Sequence, residues 1–416
     1  MKKKNRLTRL ELYWILYDVG NSAFVLMVST LLPIYFNSLA DAAGVSSAQY
    51  LAYWGYAASV STLIVAGLGP VFGALADTGG FKKPIFTMFM MIGVIGCAAL
   101  SIPDHWLFFL VIFVIAKVGF NASLVFYDSM LTDVTTPERM DNVSSQGYAW
   151  GYIGSVIPFI ISLVLVLNAG AIGITMSFAM AVSFFLTAGW WFCMTLPLLK
   201  RYRQIHFVEK KEHAMRESFR RLGRSFGEIR RHKGLFLFLL SFFLYIDGVY
   251  TIIEMATAYG EALGLDSTML LLALLLTQFV AFPFALLFGK LAGRYKNSRL
   301  IRICIIAYAA IALFAIQLDQ AWEFWLLAVC VGIFQGGIQA LSRSYFAQII
   351  PPEKAGEFFG LMDICGKGAS FMGTGLVAVV SQITGHMQAG VAMISVLIIA
   401  GYFVFRRAAR LNAERE

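Results

Sequence analysis

Twelve apolar runs divide the 416-residue chain, each close to the 20 or so residues that cross about 30 Å of hydrocarbon. They cover residues 12–37, 49–76, 84–102, 105–131, 142–168, 171–196, 235–259, 267–292, 300–317, 322–350, 356–384 and 387–405. None has the strict alternation of a membrane barrel, and lipid offers no partner to an unpaired backbone group, so each run is expected to be a helix. The expected fold class is an all-α polytopic membrane protein with twelve transmembrane helices.

The polar positions between the runs test that count. The termini and the loops after spans 2, 4, 6, 8 and 10 hold 29 of the 33 Lys and Arg residues, counting Arg302 at the edge of span 9 with the loop before it, and the loops after the odd-numbered spans hold none. The other four, Lys117, Lys290, Arg343 and Lys367, lie inside spans. The alternation places both termini in the cytoplasm of a multi-pass cell-membrane protein, and the short loops point to a bacterial inner membrane. A signal peptide ending near Ala40-Asp41-Ala42 is the competing reading of the start, but its apolar run is too long and contains Asp18 and Asn21.

Composition agrees with the pattern. The chain is 59% hydrophobic and 14% charged, against about 25% charged in soluble domains, which excludes soluble, disordered and disulfide-rich classes. The five cysteines fall inside apolar runs without CxxC spacing and are expected to be packed thiols. The five histidines lie in loops or at span edges. No metal site or cofactor is implied. Residues 200–233 carry a net +8 of the chain's +9, so the basicity belongs to one segment and does not indicate a nucleic-acid partner. Within it Met215, Phe219, Leu222, Phe226 and Ile229 recur every three or four residues. They fit a helix lying on the anionic surface of the lipid bilayer, or a solvated linker, and Gly223 and Gly227 weaken the helical reading.

The sequence repeats. GALAD (Gly73 to Asp77) matches GKLAG (Gly289 to Gly293) at an offset of 216, and the loop at Pro137-Glu138 matches that at Pro352-Glu353 at an offset of 215. Two six-helix bundles, 1–199 and 234–416, joined by a basic linker at 200–233, are therefore expected, the plan of many secondary transporters.

GALADTGGFKKP (Gly73 to Pro84) resembles the loop motif after the second span of the major facilitator superfamily. YDVGNSAF (Tyr17 to Phe24), FLYIDGVYTI (Phe243 to Ile252), GGIQALSRSYFAQIIP (Gly336 to Pro351) and EFFG (Glu357 to Gly360) are similar to the vacuole-effluxer-like family within it, over nearly the whole chain. That resemblance implies two pseudo-symmetric bundles around a central cavity, alternating access, and amino-acid movement as the first substrate suggestion. The chain departs from the family pattern at Ile246, usually Asn, and at Gly293, usually Asp.

Ionisable groups inside spans cost about 2.5 to 3.5 kcal/mol each on insertion scales, so they carry the functional signal. Asp18 and Asp247 lie on spans 1 and 7, which the resemblance turns toward the cavity. They fit a substrate ammonium or a coupling proton, or else structural acceptors paired with a buried Lys or Arg. Glu254 fits a gate or a vestibule lining. Lys117 fits a substrate carboxylate or a partner for span 1. Asn21, Asn121, Gln335 and Gln339 fit a cavity lining or bonds between helices. By the 215-residue offset Asp128 corresponds to Arg343, which suggests an ion pair closing the inner side, with Asp363 as a competing partner and a permanent bundle-stabilising pair as the alternative. Asp77, beside Lys82 and Lys83, is expected from the superfamily pattern to face a helix N-terminus across the gate. Lys367, with Glu138, Arg139, Glu353 and Lys354, joins the gating candidates.

No nucleotide site is visible, and Gly366-Lys367-Gly368 lacks the phosphate-loop context. The expected function is secondary transport of a small polar or zwitterionic solute, most simply amino acids, with or without H+ or Na+, by a monomer. The alternatives are another solute class such as sugars, peptides or drugs, a channel or receptor without alternating access, and a membrane-embedded lipid-processing enzyme. The scattered histidines argue against the last.

Overall fold

The computed structural model describes residues 6–209, 227, 231–262, 267–318, 320–384 and 387–414, and long helices dominate it. The first half contains α1 (Arg9–Ser29), α2 (Leu31–Ala42), α3 (Ser47–Ala76), α4 (Lys82–Ala99), α5 (Trp106–Ser129), α6 (Leu131–Val134), α7 (Met140–Leu167), α8 (Ala169–Ile172) and α9 (Met176–Arg201). The second contains α10 (Lys233–Ala262), α11 (Ser267–Ala292), α12 (Asn297–Ala315), α13 (Ala321–Ile349), α14 (Ala355–Thr384) and α15 (Met387–Ala413). Among the described residues, 11 helical segments are long and apolar enough to cross a membrane. The twelfth expected span is α14, whose 30 residues include Glu357, Asp363 and Lys367.

Local chemistry sets the boundaries. Thr8 caps α1 by accepting from the Glu11 amide at 3.2 Å, and the Glu11 carboxylate accepts from the Thr8 amide at 2.7 Å, a reciprocal capping box. The first span breaks at Thr30, where φ is −132° and ψ −76°. Pro33 has no N–H for the Ser29 carbonyl and its ring crowds that turn, while the Ser29 and Thr30 hydroxyls bond the Val25 and Leu26 carbonyls. The sixth span begins at Met176 and not at 171, because Gly173 takes a left-handed φ of 79° and Thr175 caps the helix that follows.

In the first half α1 packs on α7 and α9, and α5 on α3 and α4. In the second α10 packs on α14 and α15, α11 on α13, and α12 on α13 and α15. The halves meet where α3 lies on α14 and where α7 lies on α11 and α13. Glycine permits the first contact: a Cβ on Gly73 would fall on the Gly356 carbonyl, and one on Gly360 would come within 2.8 Å of the Gly69 carbonyl. Each half also carries one tyrosine-to-serine bridge, Tyr17 to Ser123 at 2.6 Å and Tyr245 to Ser342 at 2.7 Å.

Leu63, Leu167 and Ile383 are 70% exposed or more. Such positions suit an exterior bathed in hydrocarbon. Cys97 and Cys304 are buried as thiols, whereas Cys193, expected to be packed, is exposed on α9. The amphipathic pattern at Met215, Phe219, Leu222, Phe226 and Ile229 lies outside the described residues.

Candidate functional site

The polar contacts between the halves concentrate at the end of the bundle that carries the basic loops. Arg343, on α13, is 4% exposed and gathers the largest set. Its Nε donates to Ser144 Oγ at 2.9 Å, Nη1 to Asp128 Oδ1 at 3.0 Å, and Nη2 to Asp18 Oδ2 at 3.3 Å and the Ser144 carbonyl at 3.0 Å. All these acceptors belong to the first half, on α1, α5 and α7. The guanidinium also lies 4.3 Å from the Tyr148 ring centre and 4.6 Å from that of Trp14, a stacking that its planar cation favours. Trp14 is held by its own Nε1 donation to the Tyr127 carbonyl at 3.0 Å. Gly147 leaves the room, since a Cβ there would collide with Asp18 Oδ2.

A buried guanidinium is tolerated only with such partners, and removing one typically costs 3–5 kcal/mol. The donor stands on one half and its acceptors on the other, so the cluster forms only when the halves are closed at this end.

Asp77 makes the second crossing. It follows α3, and its two carboxylate oxygens accept from the Gly356 and Glu357 amides at 2.7 and 2.8 Å, at the start of α14. A helix start offers unpaired N–H groups and the positive end of its dipole, which suit an anion. Fully buried Lys82 sits 3.8 Å from Asp77 and 3.5 Å from Asp133. Asp133 also accepts from the Tyr202 hydroxyl and, at 2.8 Å, from the His206 amide. Burial pushes the Asp77 carboxyl up to about 7, against the opposing pull of Lys82 and the two amides.

Asp141, near the start of α7, makes the third crossing. Its Oδ1 accepts from the Ser344 hydroxyl at 2.6 Å, from Gln348 Nε2 at 3.3 Å and from the Asn297 amide group. Three turns further along α7, Tyr152 donates to Gln339 Oε1 on α13 at 3.1 Å.

The other residues singled out in the sequence divide. Asp363 does not compete for Arg343: it pairs with Lys367, one turn along the same helix, while Arg343 is already surrounded by acceptors. Lys367 Nζ also lies 3.5 Å from the Asn121 carbonyl of the other half. Asp18 enters the Arg343 cluster, whereas Asp247, 2% exposed, accepts from the Gly373 amide at 2.9 Å within its own half. Asn21 donates to the Tyr17 carbonyl of its own helix at 3.0 Å. The Lys117 ammonium stands 5.6 Å from the Phe113 ring centre, and Asp18, the carboxylate of span 1 considered for it, is with Arg343. Gln335 and Asn121 are buried, Lys83 is half-buried, and the side chain of Glu254 lies outside the described residues. Arg139 clasps Glu11 within the first half, with both bonds at 2.7 Å. Among the described residues no group of three or more His, Cys, Asp or Glu is placed to hold a metal ion.

Sequence reasoning missed Trp14, Asp133, Asp141, Ser144, Asn297 and Ser344. Asp133 and Asp141 lie outside the apolar runs or at their very edge, where a carboxylate is ordinary. The neutral residues resemble those of any helix interface.

The family described as vacuole effluxer Atg22 like matches residues 8–137 and 132–416 of this chain. An uncharacterized MFS-type transporter, YxiO of Bacillus subtilis (strain 168), is 45% identical over 404 residues, 96% of this chain and 94% of that one. Autophagy-related protein 22-1 of Aspergillus niger is 27% identical over 283 residues, which are 62% of this chain and 45% of the fungal one. Among solved structures, the major facilitator transporter FucP in its outward conformation aligns with a TM-score of 0.70 at 14% identity, covering 96% of this chain and 98% of that one. The proton:xylose symporter XylE aligns with a TM-score of 0.71 at 10% identity, covering 96% of this chain and 94% of that one. These two likenesses establish the fold alone. The chain belongs to the vacuole effluxer Atg22-like family, multi-pass membrane proteins with the fold of the major facilitator superfamily transporters.

Proposed function

We propose that this secondary transporter carries amino acids or related small zwitterions by alternating access, in the arrangement closed at a cytoplasmic, basic-loop end. The observation that carries the reading is Arg343: one buried cation of the second half is held by Asp18, Asp128 and Ser144 of the first. Such a contact has two discrete conditions, made and broken, which rigid-body rocking of the halves requires. The basic loops favour the cytoplasmic assignment of this end and of both termini. A bundle with both signs of charge inside its spans, at Lys117 and Asp247, favours a zwitterion. The solute gradient drives movement, alone or with a proton or sodium ion taken by carboxylates such as Asp18 when Arg343 withdraws.

Solute counterflow in proteoliposomes tests the proposal, because exchange without net driving force requires a carrier. Labelled amino acid should accumulate transiently against an unlabelled excess inside, and Arg343→Ala should lower that exchange at least tenfold, on the order of the loss of one buried ion-pair partner. Exchange of sugars or dipeptides in place of amino acids would overturn the solute class. Passage without exchange would overturn the carrier.

A further inference from the structure

The repeat that sets Asp77 opposite Gly293 also sets Gly356 and Glu357, whose amides Asp77 caps, opposite Asp141 and Asn142 at the 215-residue offset of the adjoining loop. A symmetric gate would therefore hold a carboxylate at position 293 over the first turn of α7. Glycine there has none to offer. Asp141, at the position equivalent to Gly356, instead sends its own carboxylate the other way, out of α7 and into the second half.

Three donors of the second half receive it. Ser344, fully buried on α13, donates at 2.6 Å, Gln348 one turn further along donates at 3.3 Å, and Asn297, the first residue of α12, donates through Nδ2. These donors are tied together, because Asn297 Nδ2 also lies 3.3 Å from Ser344 Oγ and from the Leu341 carbonyl. The contact continues along α7, where Ser144 donates to the Ala340 carbonyl at 2.8 Å. Next to it a Cβ on Gly289 would come within 2.8 Å of the Ser145 side chain.

We infer that Asp141 is a second gate latch, the counterpart of Asp77 with its polarity reversed, which selects the state closed at the basic-loop end by binding Ser344, Gln348 and Asn297. The inference rests on the alternating-access reading above. Asp141 is a positioning residue: it acts through the seating of α12 and α13 against α7. The two latches differ in kind. Asp77 binds backbone amides, which no substitution on α14 other than proline removes, whereas Asp141 binds neutral side chains, so single substitutions on α12 or α13 tune its hold.

Hydrogen–deuterium exchange of the full chain in lipid nanodiscs tests this, comparing wild type, Asp141→Ala, Ser344→Ala and the double variant. Loss of the latch should raise exchange roughly 10- to 150-fold at the basic-loop ends of α7, α12 and α13, the range expected for hydrogen bonds to a charged acceptor, and lower it at their opposite ends. The double variant should be no more open than Asp141→Ala alone, since both changes break one contact. Exchange rising alike at both ends, as general destabilisation produces, overturns the inference, as do unchanged exchange and effects that simply multiply. Should Asp141→Ala fail to fold, Ser344→Ala and Asn297→Ala carry the same reciprocal prediction. This readout needs no solute, so failure of amino acids to exchange in proteoliposomes strikes the proposed substrate and leaves this measurement decisive for the latch.

Discussion

Burying a guanidinium is affordable only where fixed acceptors replace its water, and at Arg343 two carboxylates, a hydroxyl and a carbonyl do so. Arg343→Lys keeps the charge but not the fork or the flat face that reaches Ser144 while stacking on Trp14 and Tyr148. We expect it to fold, to bind solute and to exchange it more slowly, as counterflow rates will register. Gly147→Ala forces a methyl group against Asp18 and Arg343 and should destabilise this closed form by about 1–3 kcal/mol, read as a lower midpoint of thermal unfolding. Asp77 gives a pH test. Its carboxyl stands near about 7 when the gate is closed, and returns toward the ordinary value of 3.8 when opening hydrates it, so closure takes up a proton between the two. With Lys82 and Glu357 as its charged neighbours, its contribution to closure is full below 3.8 and is lost as pH rises through about 7. Amide exchange at the basic-loop end, corrected for its intrinsic rate, should be slower near about pH 6 than near about pH 8, and Asp77→Asn should flatten the difference. At this scale the charged members were legible in the sequence, since a charge inside an apolar run stands out. Ser144, Trp14 and Gly147 were not, because a serine, a tryptophan or a glycine on a helix has many uses and only the fold reveals which neighbour it meets.

The helices approach most closely where side chains are absent. Gly73 and Gly69 on α3 lie against Gly356 and Gly360 on α14, with backbone facing backbone, so nothing flexible can move aside. Gly73→Leu should therefore wedge these helices apart, hold the basic-loop end open and leave the chain folded. Labelling from that side should increase and counterflow should fall at least tenfold, on the order of a few kcal/mol of lost packing. The small-xxx-small spacing was readable beforehand, whereas its partner was not, since spacing names a contact face and not what lies on it. Element boundaries show the same limit. The break at Thr30 follows from Pro33, but an unbroken hydropathic run conceals it, and the late start of α9 turns on the left-handed backbone at Gly173.

At the scale of the molecule, duplication explains both what was legible and what was not. Two close offsets, 216 and 215, point to two six-helix units. The departure at Gly293 marked where their symmetry fails, and the carboxylate that answers it, Asp141, lies on a different helix. All three crossings have their carboxylates on the first half and their donors on the second, so one rocking motion breaks them together. The most direct measurement is the distance between spin labels at exposed Thr136 and Arg294, one on each half at the basic-loop end, in a Cys193→Ala background. Double electron–electron resonance in nanodiscs should show a short, closed population in the wild type that gives way to a longer one in Arg343→Ala. An identical distance distribution in the two proteins would contradict the account.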